Sequence, residues 1–242
     1  MRRIVSLWFP DFAVERFIRG RIKEQRPPPP KDLPFALVES GARGLRLAAV
    51  NRAARGFGLA CGQRLADARA QVPDLLSELH EPEADIKSLL GLCRWLERYS
   101  PWVAPEPPDG ILLDIAGIPH LFGGEARMLA EIRDRLAAYG LTARSGADET
   151  IGAAWALARY EAERLDALPI EALRIAGEQA LTLRRLGLKT VGALLAVPRA
   201  TLARRFRGET IGENVLMRLD EMMGLRHEPL NPLNPATSFI AH

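Results

Sequence analysis

The chain has 242 residues, enough for one large domain or two small ones around a real hydrophobic core. An apolar share of 48% and a charged share of 26% exclude a disordered or fibrous chain, and no apolar run approaches the roughly 18 residues of a membrane span. A net charge of +3 permits nucleic-acid binding without arguing for it, so the placement of the charge decides.

Arg2 and Arg3 precede an apolar run that breaks at Pro10 and Asp11 without a cleavage-site pattern, so the chain opens on a strand and not on a signal peptide. Cys61 and Cys93 lack metal-ligand spacing and are expected as reduced thiols of a cytoplasmic protein. Residues 4–9 read as that first strand, and Asp11 as the cap of a helix carrying Phe12, Val14, Phe17 and Ile18. Pro27 to Pro30 form a rigid break. Residues 35–39 and 45–51 are two strands joined by a glycine-containing turn, with short helical pieces from Ala53 to Asp74.

The spacing of Ile86, Leu89, Leu92, Cys93 and Leu96 predicts an amphipathic helix over 83–99. Residues 102–104 and 111–115 pair as strands across a Pro/Gly-rich turn. Asp109 and Asp114 lie five residues apart, which on a regular strand sets them on opposite faces. Taken alone, they are a turn residue and a polar strand end. A second helix covers 125–139, ended by Gly140, and another strand covers 141–145. The order βαββαβ predicts a ferredoxin-like α+β fold. From Leu168 the composition turns helical and basic, with Arg184, Arg185, Lys189, Arg199, Arg204, Arg205 and Arg207 crowded together. Glu178 and Glu209 are the only acids near them in sequence.

Pro107-Pro108-Asp109-Gly110-Ile111-Leu112-Leu113-Asp114, followed by Leu121-Phe122-Gly123, resembles the palm strand Ser-x-Asp-Glu-x-x-x-Asp of Y-family (UmuC-like) translesion DNA polymerases. Four more stretches resemble that family in the same order, so the likeness covers essentially the whole chain. It keeps the first metal-binding carboxylate as Asp109 and puts Gly110 at the adjacent glutamate. Setting the family's Val-Glu on Val14 and Glu15 puts another metal-binding Asp position at Ser6, or at Leu7 or Trp8 after a slip of one or two residues. None of these is a carboxylate. Asp11 is the nearest acid, and its role is better explained as a helix cap.

Arg52-Ala53-Ala54-Arg55 with Gly56 and Gly58 resembles the fingers segment whose Tyr and Arg hold the incoming triphosphate. The resemblance gives Arg52 and Arg55 those two places. A guanidinium fork suits phosphate oxygens, although Arg55 can equally be a solvated helix residue. The stretch from Gly146 to Thr150 and Ile151 resembles the family's Gly-Ile-Ala-x-Asn-Lys loop, with Ile151 at the Lys that meets the triphosphate. Ile175-Ala176-Gly177 and Leu186-Gly187-Leu188-Lys189-Thr190 resemble the turns of a helix–hairpin–helix thumb, the leading Gly of the first turn being absent. Such turns bind DNA without reading sequence, through backbone N–H groups and neutralised phosphates. Gly177, Arg184, Arg185, Gly187, Lys189, Thr190, Arg204 and Arg205 are therefore the candidate DNA contacts, against the alternative of a solvated basic face on a plain bundle.

The resemblance implies a palm over 1–166 with a fingers insertion at about 20–77, a thumb over 167–228, and a linker stub at 229–242 toward an absent little-finger domain. Of three carboxylate positions only Asp109 survives. One Asp cannot hold the two cations, about 4 Å apart, of a two-metal mechanism. The loss of the Lys removes charge stabilisation as well. With Leu7-Trp8-Phe9-Pro10 where an acid belongs, the pattern is similar to the ImuB-type proteins of bacteria. These non-catalytic relatives link an error-prone replicative-type polymerase and a RecA-like accessory protein to the sliding clamp. The implied role is a scaffold in damage-induced mutagenesis that docks on DNA without sequence preference, with no membrane and no cofactor. Two other readings stand beside it. One is an active, low-efficiency nucleotidyl transferase using Asp109, Asp114 and Asp11 with Mg2+. The other is a protein-interaction domain whose basic helices no longer touch DNA.

Overall fold

The first strand, β1 (Ile4–Trp8), buries Ile4, Val5, Ser6 and Leu7 completely, as a strand covered on both faces must. The computed structural model describes residues 2–42, 44–160, 162, 164–205 and 210–234, with residue 205 and the first turn of the last helix described by backbone only. After β1 the chain forms helix α1 (Phe12–Lys23) and then a small separate sheet from β2 (Phe35–Gly41) and β3 (Gly44–Val50). Two short helices, α2 (Arg52–Gly56) and α3 (Leu65–Gln71), lead to β4 (Leu76–Leu79), which pairs parallel to β2. Leu47, Val50, Ala54, Leu59 and Ala68 are the core of this unit.

Helix α4 (Pro82–Leu96) returns the chain to the main sheet, where β5 (Trp102–Glu106) and β6 (Gly110–Asp114) form the expected hairpin. Helix α5 (Glu125–Ala138) and β7 (Arg144–Asp148) complete it. The strand order is β5-β6-β1-β7 and every pair is antiparallel, which is ferredoxin-like topology with the small sheet inserted after α1. One face buries Val5, Leu7, Ile111 and Leu113 against α4 and α5. The other buries Ile4, Leu112 and Ala104 against α6 (Ile151–Arg159).

Helices α7 (Gly177–Arg185), α8 (Val191–Leu195), α9 (Arg199–Arg205) and α10 (Thr210–Met222) follow. They pack around Leu173, Leu183, Val191 and Leu194, and Ala153 and Ala156 of α6 enter the same core. One small-residue helix thus touches the sheet on one side and the helical set on the other. At Gly152 the backbone of Met222 comes so close that an added Cβ would lie 3.0 Å from its Cα.

Three local expectations change. Asp11 holds the N-cap position before α1, but its side chain caps nothing, being turned to Arg55 at 2.5 Å. The last strand lies at 144–148, not 141–145, and the short strand β4 had no signal in the sequence. Asp109 and Asp114 are parted along β6 more than across it. Asp114 pairs opposite Ile4 at one end of β1, while the backbone carbonyl of Asp109 accepts from Phe9 N–H at the other.

Candidate functional site

Four strand ends meet at the Asp109 corner. Register places Trp8, Gly110 and Arg144 side by side, with Glu106 opposite Gly110 on the edge strand. The Asp109 side chain has two partners here. Trp8 Nε1 donates to Oδ2 at 2.9 Å, and Arg159 Nη2 donates to Oδ1 at 3.3 Å. The same Arg159 nitrogen lies 3.5 Å from Glu106 Oε2. Arg159 is the last residue of α6, and its guanidinium carbon stands 4.2 Å from the Trp155 ring centre, in cation–π range.

Burial sets the electrostatics of this corner. It pushes the Glu106 carboxyl up to about 6, with Arg159 and Arg174 pulling in the opposite direction. Burial likewise pulls Arg159 below its ordinary value, against Glu106 and Asp109, but a guanidinium stays charged at any physiological pH. Because the folded Glu106 binds its proton more tightly than the unfolded one, stability from this group is full below the ordinary value of 4.5 and falls as pH rises to about 6. The loss amounts to about 2 kcal/mol. We expect Glu106→Gln to remove that slope in chemical denaturation across this pH range. A slope equal to that of the unaltered protein would contradict the assignment.

Ser6 is not at this corner. It lies two positions further down β1, buried opposite Leu112 and Gly146, and the strand residue beside Asp109 and Gly110 is Trp8. Of the three positions that the resemblance offered, Ser6, Leu7 and Trp8, the register sets Trp8 at this corner. Ile151 is also elsewhere. Since β7 runs antiparallel to β1, α6 starts at the far end of the sheet, where Ile151 is buried against Ile4, Ala104 and Leu112. The residue of α6 that reaches Asp109 is Arg159, at the other end of that helix. Ile151 thus stands at the opposite end of the sheet from Asp109. Sequence reasoning missed Arg159 and Glu106 as site residues, since neither stands at a functional position of a family motif, and it reached Trp8 only as a position displaced by two residues from Ser6.

A cleft of about 440 Å³ runs from Asp109 to the small sheet, lined by Phe9, Asp11, Phe12, Ala49, Arg55, Cys61 and His80. Arg55 reaches it from α2 but is paired with Asp11, and Arg52 is exposed beside it. Where the two sheets join, Arg16 Nε donates to Asp85 Oδ1 at 2.7 Å, and His80 Nε2 lies 2.7 Å from Asp85 Oδ2.

In the helical set, Gly177 opens α7, Gly187 turns out of it with φ +83°, and the Thr190 hydroxyl accepts from Ala193 N–H at the start of α8. The basic face is thinner than the sequence promises. Arg184 forms a two-pronged pair with Glu171, at 2.6 and 3.1 Å, and Arg199 pairs with Asp220. The two acids stand 13 and 21 residues along the chain from their arginines. Arg185, Lys189 and Arg204 are exposed and have no acidic partner among the described residues. The Arg205 side chain and all of Arg207 and Glu209 lie outside the described residues.

Residues 15–159 match the impB/mucB/samB family. The chain is 44% identical over 195 residues to Protein ImuB from two strains of Caulobacter vibrioides, NA1000 / CB15N and ATCC 19089 / CIP 103742 / CB 15. Those matches take in 76% of this chain and 42% of the relative, so the chain spans about two-fifths of the curated proteins it resembles. Among solved structures, DinB from Sulfolobus solfataricus is similar with a TM-score of 0.75 at 15% identity, covering 95% of this chain and 69% of that one. The insertion ternary complex of Dbh DNA polymerase is similar with a TM-score of 0.74 at 16% identity, covering 94% and 69%. At such identity these two speak for the fold, which is the α+β fold of Y-family polymerases, while the family match speaks for descent. The chain belongs to the impB/mucB/samB family.

Proposed function

We propose that this chain is a non-catalytic member of its family, a scaffold that docks on DNA during damage-induced translesion mutagenesis. The observation that carries this is the state of Asp109, whose carboxylate is bonded to Trp8 and Arg159, the same guanidinium that lies between it and the nearest acid, Glu106. Two divalent cations need several carboxylate oxygens converging on them. Asp114 is at the opposite end of its strand, and Asp11, which lines the same cleft as Asp109, is already neutralised by Arg55. Among the described residues, no three His, Cys, Asp or Glu side chains come together as a metal site. The side chains present do not fit the pair of Mg2+ ions that the fold family implies.

Docking on DNA would fall to the exposed Arg185, Lys189 and Arg204 with the turns at Gly177 and Gly187–Thr190, in a thumb over 167–228 behind a palm over 1–166 with its fingers at about 20–77. Sliding clamp, error-prone polymerase and RecA-like accessory protein are the partners we propose from the likeness to ImuB. The pairing of Arg184 and Arg199 within the chain favours, as a second reading, a protein-interaction domain without DNA contact. Primer extension with Mg2+ or Mn2+, run beside duplex binding at low and moderate salt, tests all three readings. We expect salt-sensitive binding and no extension. Extension abolished by Asp109→Ala would overturn the scaffold, and salt-independent or absent binding would favour the interaction domain.

A further inference from the structure

Gly110 stands where a side chain has no room. An ideal Cβ there would lie 2.8 Å from Glu106 Oε2 and 3.0 Å from Arg159 Nη2. The space that a glutamate at 110 would take is already filled, and it is filled by a carboxylate and a cation. Glu106 pairs across from Gly110 in the β5–β6 register, so a carboxylate group is present one strand over from the position that lacks it. Arg159 Nη2 is 3.3 Å from Asp109 Oδ1 and 3.5 Å from Glu106 Oε2, one cationic group between two acids. Its side chain is only 11% exposed, stacked on Trp155, and Trp8 takes the remaining Asp109 oxygen.

We propose that Asp109 and Glu106 form a cation site whose resident cation is the guanidinium of Arg159, with Glu106 supplying the carboxylate that residue 110 lacks. This deepens the non-catalytic reading, on which it rests for taking the Asp109 corner as the place where cations would otherwise sit. A metal ion entering here would meet a like charge within a few ångströms. The chain cannot lose that charge by dissociation, because α6 delivers it. The bare Gly110 and the buried Arg159 are then complementary, the guanidinium occupying room that a side chain at 110 would need.

Terbium(III) tests this, because the ion prefers oxygen ligands and its emission is excited through a nearby tryptophan. Trp8 touches Asp109. The unaltered protein is expected to show no saturable sensitised emission at this corner. Arg159→Gln, which keeps size and polarity but not charge, is expected to bind Tb3+ at least about 1,000-fold more tightly, the scale for removing one like charge about 4 Å away at an effective permittivity near 20. Adding Asp109→Asn is expected to abolish that gain and to subtract binding elsewhere. A folded Arg159→Gln protein that binds no better than the unaltered one overturns the proposal. A second measurement needs no variant. In 15N-labelled protein, the Trp8 indole N–H signal is expected to be unaffected by Mn2+, and its selective broadening at low Mn2+ would overturn the proposal equally. Primer extension by the unaltered protein would sink the scaffold reading, while the cation site stands or falls on the two ion titrations alone.

Discussion

Replacing Arg185, Lys189 and Arg204 together with alanine is expected to weaken duplex binding by about 10- to 100-fold at moderate salt and to flatten its salt dependence. Each phosphate-neutralising side chain releases about one counterion, so the log–log slope should fall by about two to three. The three residues are chosen because they are exposed and have no acidic partner among the described residues. Arg184→Ala is the matched control. Its charge is already committed to Glu171, which the paired arginine holds below the usual carboxylate range, so its loss should change binding far less. Fluorescence anisotropy over a salt series reads both the affinity and the slope. If Arg184→Ala cost as much as the triple replacement, the Arg184–Glu171 pair would have to open on DNA. If neither variant lost affinity, the helical set would not be the DNA-binding face.

Gly146→Ala is expected to be the most damaging single methyl addition in the sheet, costing more than about 3 kcal/mol or preventing folding. A Cβ there would lie 2.4 Å from both Ala154 O and Ala158 N, backbone atoms of α6 that no rotamer change can move. The effect would reach the site, since the same helix carries Arg159 to Asp109. Gly177→Ala is the contrast. Its surroundings are open and it sits at the start of a helix, so alanine there should be neutral or stabilising by up to about 1 kcal/mol. Circular dichroism melts of the two variants decide the matter. Equal melting temperatures for Gly146→Ala and the unaltered protein would mean that α6 does not lie on β7 as described.

Much of the fold was legible because it rests on local patterns. Ile4 to Trp8 is an apolar run stopped by proline, α4 and α5 repeat their apolar residues at helical spacing, and the Pro107–Gly110 turn announces a hairpin. The expected antiparallel βαββαβ sheet is the one observed. Strand β7 was misplaced for the opposite reason. Leu141 and Ala143 carry the apolar signal, yet the paired residues are Arg-Ser-Gly-Ala-Asp, held there by β1 on one side and by the close approach of α6 to Gly146. Neither constraint leaves a mark within five residues of sequence.

The candidate site divides along the same line. The sequence by itself determined the family, Asp109 with the glycine next to it, and the basic composition after Leu168, because each is a matter of which residue stands in which order. Only the tertiary structure decided what those residues do. It put Trp8 and not Ser6 beside Asp109, carried Ile151 away to the far end of the sheet, paired Arg55 with Asp11 and Arg184 with Glu171, and brought Glu106 and Arg159 to the place where residue 110 has no side chain. The physical reason is that an ion pair or a steric exclusion depends on distances between segments tens of residues apart. Strand register and helix direction set those distances, and the order of residues along a motif does not.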